Sequence, residues 1–329
     1  MIDLHTHVVP PRTPFLERLA GSDPRWARLE PAGETGDVIV AGSNFRTVRR
    51  VAWDLVERRE RLAADGVTGH LLSAMPELFA PWAPAGDALD YARAFNGWLA
   101  AEVTGHDGFF TGLGVVPVQD PVAAAALLGE IAGQGLLGVE IPSAPPGAPL
   151  HDPVWADFLG EAERLGLLLF VHAVGGALAA TFPHPGAANG VVFPSSIGQA
   201  VGGLIAAGTL ERFPRLRLLA SHGGGSLLTS LPRLDFMRAT TPALQELMPQ
   251  PPAVYAQRLW FDPLLFDATL LMALVDVVGA DRVVLGTDYP FMGADPVTHL
   301  DDPAVPAALA AAIRVTNPQR LLTSLTAPT

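Results

Sequence analysis

From residue 53 onward the chain alternates between stretches with helical spacing of apolar residues and short β-branched apolar runs, each run closing on a polar residue, glycine or proline. This alternation is the pattern of repeated βα units. It predicts eight strands, at 2–5, 67–73, 109–116, 136–141, 167–172, 216–221, 258–261 and 282–286. Helix-like stretches lie near 54–65, 88–104, 121–133, 153–165, 196–210, 225–238, 267–278 and 304–315, several opened by Asp, Ser or an Asp-Pro pair, as N-caps and first-turn prolines require. The strands are almost continuously apolar, which fits a parallel sheet covered by helices and closed on itself. The expected fold class is α/β, a (β/α)8 TIM-type barrel.

Residues 8–52 break the repeat. They carry Pro10, Pro11, Pro14, Pro31 and Gly33, a short β-like run at 37–40, and the segment Asn44-Phe45-Arg46-Thr47-Val48-Arg49-Arg50. They read as an insertion after strand one that covers the barrel mouth, within a single barrel domain spanning 1–329. A second long loop is expected at 173–194, after strand five. Barrels place substrate contacts in loops on this C-terminal face.

Composition narrows the chemistry. All 21 basic residues are arginine, and the chain contains neither lysine nor cysteine. That removes Schiff-base, carbamylated and P-loop lysines, thiolate nucleophiles, thiolate metal sites and disulfides. What remains is the chemistry of His, Asp, Glu, Arg, hydroxyls and any metal they hold. A net charge of −12 and a pI near 5.1 argue against nucleic acid, which needs a basic stripe, and favour a small-molecule partner. The 33 glycines and 31 prolines punctuate apolar segments and do not cluster into a disordered tract. The N-terminus lacks a basic and then apolar leader, and the richest apolar stretch, 268–280, is broken by Asp276, so it reads as a buried helix and not a membrane span. A soluble cytoplasmic protein is expected.

Residues i and i+2 of a strand share a face, so His5 and His7 can aim two imidazoles at one point. Two further predicted strands end in histidine, at His172 and His222, and the eighth leads into Asp288. In a barrel these ends converge on one rim, a set suited to a hard-to-borderline divalent ion. Three glycines after His222 allow a backbone to approach a ligand closely. His70, His106, His151 and His299 read as packing or loop residues. His184 is a candidate for touching substrate, and Phe79, Trp82, Tyr289 and Phe291 are candidates for lining the pocket.

These segments together resemble the amidohydrolase superfamily, and more narrowly its mononuclear branch typified by aminocarboxymuconate-semialdehyde decarboxylase. The resemblance rests on DLHTH at 3–7, NFRTVRRVAWD at 44–54, SAMPELFAPWA at 73–83, LFVHA at 169–173, SHGGG at 221–225 and VLGTDYPF at 284–291, and it covers most of the chain. It implies one divalent metal ion, zinc first with manganese or iron as alternatives, ligated by His5, His7, His172 and Asp288. His222 is implied as the acid/base histidine, with Asp288 in the catalytic set. The family's two arginines for the substrate carboxylate fall on Arg46 and Arg233. The second reaches the neighbouring subunit's site, which implies a homodimer. The missing lysine agrees, since binuclear amidohydrolases commonly use a carbamylated lysine near the position of Glu140, which is left outside the ligand set.

Two reactions suit this apparatus. One is non-oxidative decarboxylation of a small unsaturated or aromatic carboxylic acid; the other is hydrolysis of an amide, ester or lactone. Paired arginines favour the first, because neutral amides and lactones need no cationic forks. A non-catalytic metal-binding protein is the third reading. The chain departs from the family decarboxylase at Ala173-Val174-Gly175-Gly176, where the family is aromatic, and near Val40, where it has lysine. Both departures bear on which acid is taken.

Overall fold

A computed structural model of the chain describes residues 1–292 and 295–326. Strand β1 (Ile2–Val8) is followed by a helix, Pro14–Ser22, and by β2 (Arg28–Ala32), β3 (Thr35–Val40) and β4 (Ser43–Arg49), which pair antiparallel as a separate three-stranded sheet. The chain then enters the βα repeat with β5 (Gly69–Ala74), β6 (Phe110–Gly114), β7 (Gly138–Pro142), β8 (Leu168–His172), β9 (Arg217–Ala220) and β10 (Trp260–Phe261). These six and β1 form one parallel sheet in the order β1-β5-β6-β7-β8-β9-β10.

The predicted eighth strand closes the ring without becoming a regular strand. Val284 N donates to Phe261 O on one side and Leu4 N to Leu285 O on the other, both at 2.9 Å. A Cβ at Gly286 would lie 2.7 Å from side-chain atoms of His5 and Asp262, and Asp288 has φ +57°, so the backbone leaves the extended region just where its carboxylate is delivered. Inside the ring, Leu4, Leu71, Leu113, Leu168, Phe170, Leu219, Trp260 and Val284 fill the lower barrel, and Leu321 of the last helix, Asn317–Thr326, plugs it from below. The predicted helix at 304–315 is shorter, Ala307–Ala311, and passes through a wider turn into that last helix. Asn317 Nδ2 donates to Ala280 O and Val283 O, both at 2.8 Å, which ties the plug to the closing segment.

Two expectations are corrected. Strand one does not stop at His5 but continues to Val8, so His7 lies within it. The stretch expected as a loop, 173–194, is mostly helical: a short turn at Gly176–Ala179, then a 22-residue helix, Pro185–Ala206. Pro185 suits its first turn, and Pro194 within it lacks the N–H for the preceding turn. The glycines and prolines that suggested a loop are tolerated because tertiary contacts compensate; Pro194 O, for one, accepts from Ser226 N at 2.9 Å. No helix among the described residues is long and apolar enough to cross a membrane.

Candidate metal centre and barrel mouth

The C-terminal ends of β1 and β8 and the segment after 286 bring His5, His7, His172 and Asp288 together. One ligand atom from each lies within 4.8 Å of all the others. His5 Nε2 is 3.2 Å from His7 Nε2 and 3.1 Å from His172 Nε2, and Asp288 Oδ1 is 3.1 Å from His7 Nε2 and 3.7 Å from His5 Nε2.

The tautomers follow from the far side of each ring. His5 Nδ1–H donates to Asp262 Oδ2 (2.6 Å), His7 Nδ1–H to Ala74 O (2.8 Å) and His172 Nδ1–H to Ala173 O (2.8 Å). Carbonyls and carboxylates only accept, so each Nδ1 carries the hydrogen and each Nε2 turns a lone pair to the common point. Three lone pairs and a carboxylate facing one another across ~3 Å repel unless a cation sits among them, and the spacing suits donors about 2 Å from one ion. The donor set therefore fits a divalent cation.

The surroundings agree. Burial works to raise Asp288, but the closeness of His7 and of the other two imidazoles outweighs it and holds the carboxyl below its usual range. Burial lowers His7, and it lowers His172 strongly with help from the neighbouring imidazoles, which favours the neutral, ligating form. At His5 burial is outweighed by the hydrogen bond and charge of Asp262, so this imidazole is raised.

His222 stands beside the cluster and outside it. Its ring centre is 5.6 Å from those of His5 and His172, and its buried Nε2 has no hydrogen-bond partner among the described residues. The turn that presents it needs the glycines: His222 has φ +52°, and a Cβ on Gly225 would meet Pro194 O at 1.9 Å. Burial lowers the imidazole, leaving a neutral base at neutral pH.

Asp262, given no role from sequence, joins the two parts. Oδ2 accepts from His5 Nδ1 and from His222 N (2.9 Å), and Oδ1 accepts from Gly223 N (2.9 Å) and Leu264 N (3.0 Å). The only signal was its place directly after the short strand β10, the same strand-end position that the histidines occupy.

The other expected residues divide. Arg46, on β4, is half-buried, with its guanidinium 4.7 Å from the centre of the Phe291 ring, and Phe291 in turn stacks on His7 at 5.4 Å. The Arg46 side chain makes no hydrogen bond or ion pair among the described residues, so its fork is unspent beside the Phe291 ring. Arg233 does not reach the cluster of its own chain. It is exposed on the helix Leu227–Thr240 and lines a groove of about 370 Å³ with Gly198, Gly202, Gly203 and Met237. His184 is an exposed N-cap whose ring accepts from Gly186 N (3.0 Å), and it touches no part of the cluster. Phe79 is buried in the main core, Trp82 packs on Trp26, and Tyr289 lies between the guanidinium groups of Arg49 and Arg58. Glu140 is fully buried on β7, 3.7 Å from His7 Nδ1 and outside the ligand set, and burial pushes its carboxyl well up.

A parallel barrel that lifts three anchored imidazoles and a carboxylate to one point, with a free imidazole at their side, defines a metal-dependent barrel catalyst. The family is shown directly: the Amidohydrolase model matches residues 2–323, and the chain belongs to that family. The chain is 32% identical to a 2-amino-3-carboxymuconate-6-semialdehyde decarboxylase of Dictyostelium discoideum, over 88% of this chain and 81% of that protein. It is 25% identical to a gamma-resorcylate decarboxylase of Rhizobium sp., over 86% and 91%. Its fold matches that of a 5-carboxyvanillate decarboxylase from Novosphingobium aromaticivorans, solved with manganese and 4-hydroxy-3-methoxy-5-nitrobenzoic acid, with a TM-score of 0.78 at 21% identity over 98% and 96% of the two chains.

Proposed function

We propose that this chain is a divalent-metal-dependent, non-oxidative decarboxylase of a small unsaturated or aromatic carboxylic acid. The observation that carries the reading is the unspent Arg46 fork, stacked on Phe291 and through it on His7: a carboxylate anchor placed directly over a metal-type cluster. The similarity to decarboxylases supports it. Hydrolysis of a neutral amide or lactone gives that fork nothing to hold.

His5, His7, His172 and Asp288 would hold the ion, zinc by the weight of imidazole in the set and manganese by analogy with the solved relative. A bound divalent cation supplies fixed positive charge that polarises substrate oxygen. Arg46 orients the acid over the cluster. His222 Nε2, neutral and unpartnered, holds and returns a proton, and Asp288, the one ligand partly open to the mouth, shares that traffic. A C–H bond forms at the carbon bearing the carboxylate and the C–C bond to that group breaks. Its electron pair stays with the ring or diene, and carbon dioxide leaves with no change of oxidation state elsewhere.

Arg233 is assigned to the site of a second copy in a homodimer. In support, it is exposed and without an ion pair among the described residues, in a small-residue groove beside exposed Phe236 and Met237. Residues 8–52 serve as the cover of the mouth, since β4 delivers Arg46 there.

The test is carbon dioxide release by metal-reconstituted protein from 2-amino-3-carboxymuconate-6-semialdehyde and gamma-resorcylate, with metal content measured in parallel. Release is expected with about one ion per chain. His222→Ala should keep the ion and lose about 10²- to 10⁴-fold in turnover. Hydrolysis of an ester or lactone panel with no carbon dioxide from any acid would overturn the decarboxylase reading.

A further inference from the structure

A cavity of about 650 Å³ lies on the far side of the barrel wall from the metal-type cluster. Leu4 and Leu71 point into the barrel, so Asp3 and His70, one residue before each and register partners on β1 and β5, point outward and form the cavity floor. Leu62, Leu285 and Val297 give it apolar walls. Thr287 and Tyr289, on either side of Asp288, also line it, so an occupant bears on the segment that presents the Asp288 carboxylate.

His70 is almost wholly buried, and Arg58 Nη2 lies 3.1 Å from its Nδ1. A guanidinium only donates, so Nδ1 accepts and Nε2 carries the hydrogen. That N–H has no acceptor among the described residues. Burial, with the Arg58 charge, keeps the ring neutral. Arg58 is itself fully buried and donates from Nη1 to His7 O (2.7 Å), yet it makes no ion pair among the described residues. Arg49, exposed at the cavity rim, has neither an ion pair nor a side-chain hydrogen bond among them. All three groups surround one ring: the guanidinium carbons of Arg58 and Arg49 lie 4.8 and 6.0 Å from the centre of Tyr289, and the His70 ring centre lies at 5.5 Å. The acids of the cavity are spent or stand apart. Asp3 accepts from His5 N and Thr287 N, Asp301 holds Arg314 (2.8 Å), and Asp295 Oδ1 accepts from Val297 N (3.0 Å). Asp65 stands with Met1 and Val67 where β1 and β5 begin, whereas Tyr289 bridges Thr6 farther along β1.

An unspent buried donor and two guanidinium charges without counter-ions, set beside apolar walls, call for an anion with an apolar body. We propose that this cavity is a second ligand site, separate from the metal centre, that takes a small carboxylic acid as its anion. The carboxylate accepts from His70 Nε2–H and from the Arg49 guanidinium, and the rest of the molecule lies along the apolar walls. Arg58 supplies fixed charge from behind Tyr289 without touching the ligand. The assignment stands whether or not the chain decarboxylates any acid, because the wall of β1 separates the two sites.

The probe is benzoate, with benzamide as its neutral counterpart, titrated into metal-loaded Arg46→Ala protein, in which the anchor assigned to the metal centre is gone. Methyl-labelled methionine locates the binding by NMR, since Met292 lines the cavity. Benzoate should bind with a Kd below about 1 mM and shift the Met292 methyl signal, and benzamide should bind at least about tenfold more weakly. Adding Arg49→Glu, a change at an exposed position, should weaken benzoate by about tenfold or more. Where His70→Leu folds, it should weaken benzoate as well; where it does not, Arg49→Glu decides alone. No binding at up to about 10 mM benzoate overturns the inference. So does binding that leaves Met292 unmoved, that treats benzamide like benzoate, or that survives Arg49→Glu unchanged.

Discussion

The floor of the site and its mouth are built on different principles. On the floor, each imidazole of the candidate metal cluster is tied by its second nitrogen, two to backbone carbonyls and one to Asp262, and all rise from strands β1 and β8 of the parallel sheet. At the mouth, Arg46 stands on a separate three-stranded sheet and is positioned by the face of one aromatic ring, while Arg233 lies exposed on a helix that does not reach the cluster of its own chain. On the proposed function, the barrel would fix where a metal and a proton carrier sit, and the added segments would decide what is brought to them. Changes on the floor should therefore act on metal binding and turnover together, and changes at the mouth on substrate affinity alone.

The severest test of that division is Asp262→Asn. One carboxylate accepts from His5 Nδ1 and from three backbone amides, so an amide that turns its NH₂ toward either side loses both the charge and at least one bond. Metal affinity should fall by about 10- to 100-fold, and turnover at saturating metal should fall too, because the His222 turn hangs on the same oxygens. Chelator competition and steady-state kinetics measure the two losses. Weaker substrate binding with unchanged metal affinity would erase the contrast between floor and mouth.

A milder effect is expected from Arg46→Ala. The ion should be kept at full occupancy, KM should rise by about 10- to 100-fold and kcat should change little, as expected when one charged fork to a carboxylate is removed. Arg233→Ala should behave alike if it serves a partner's site. Mixing it with inactive His222→Ala chains should then restore activity in heterodimers that hold one intact site. No recovery from subunits shown to exchange would confine Arg233 to its own surface.

The sequence made the floor legible and the mouth only partly so. His5, His7, His172, His222 and Asp288 were readable because a strand end is a fixed place in a barrel and a two-residue period sets which side chains share a face. Asp262 stands at an equivalent place, but β10 is only two residues long and the aspartate lacks the company of a second ligand type, so nothing marked it. The helix Pro185–Ala206 was hidden by Pro185, Pro194 and two glycines between them, Gly186 and Gly190, signals of a loop that tertiary contacts override. In the insertion, β3 showed an apolar run, whereas β2 and β4 are largely exposed and polar and carried no alternation to read.

The smallest effect on metal binding and turnover concerns how the floor is strapped, and it appears in stability instead. Asp3 lies behind His5 on β1, almost wholly buried; its Oδ1 accepts from His5 N (3.1 Å) and Thr287 N (3.2 Å), and its other oxygen accepts from Thr287 Oγ1. This strap joins β1 to the closing segment one residue before Asp288. Burial raises the carboxyl to about 6, more than these bonds and the nearby His5 and Arg58 lower it. Between its ordinary value of 3.8 and about 6, the folded chain keeps a proton that the unfolded chain has released. Raising the pH through that window therefore favours unfolding, and the stability tied to Asp3 is present below it and lost above, by up to ~3 kcal/mol. Asp3→Asn has no such proton. It should cost stability at every pH, because its NH₂ opposes donors, but its curve should lack the Asp3 contribution to the decline between pH 4 and 6. Urea unfolding of the metal-free proteins across pH 4 to 7 compares the two curves. Parallel curves would mean that Asp3 titrates as in the unfolded chain, and that the floor holds its ligand strand without straining the charge behind it.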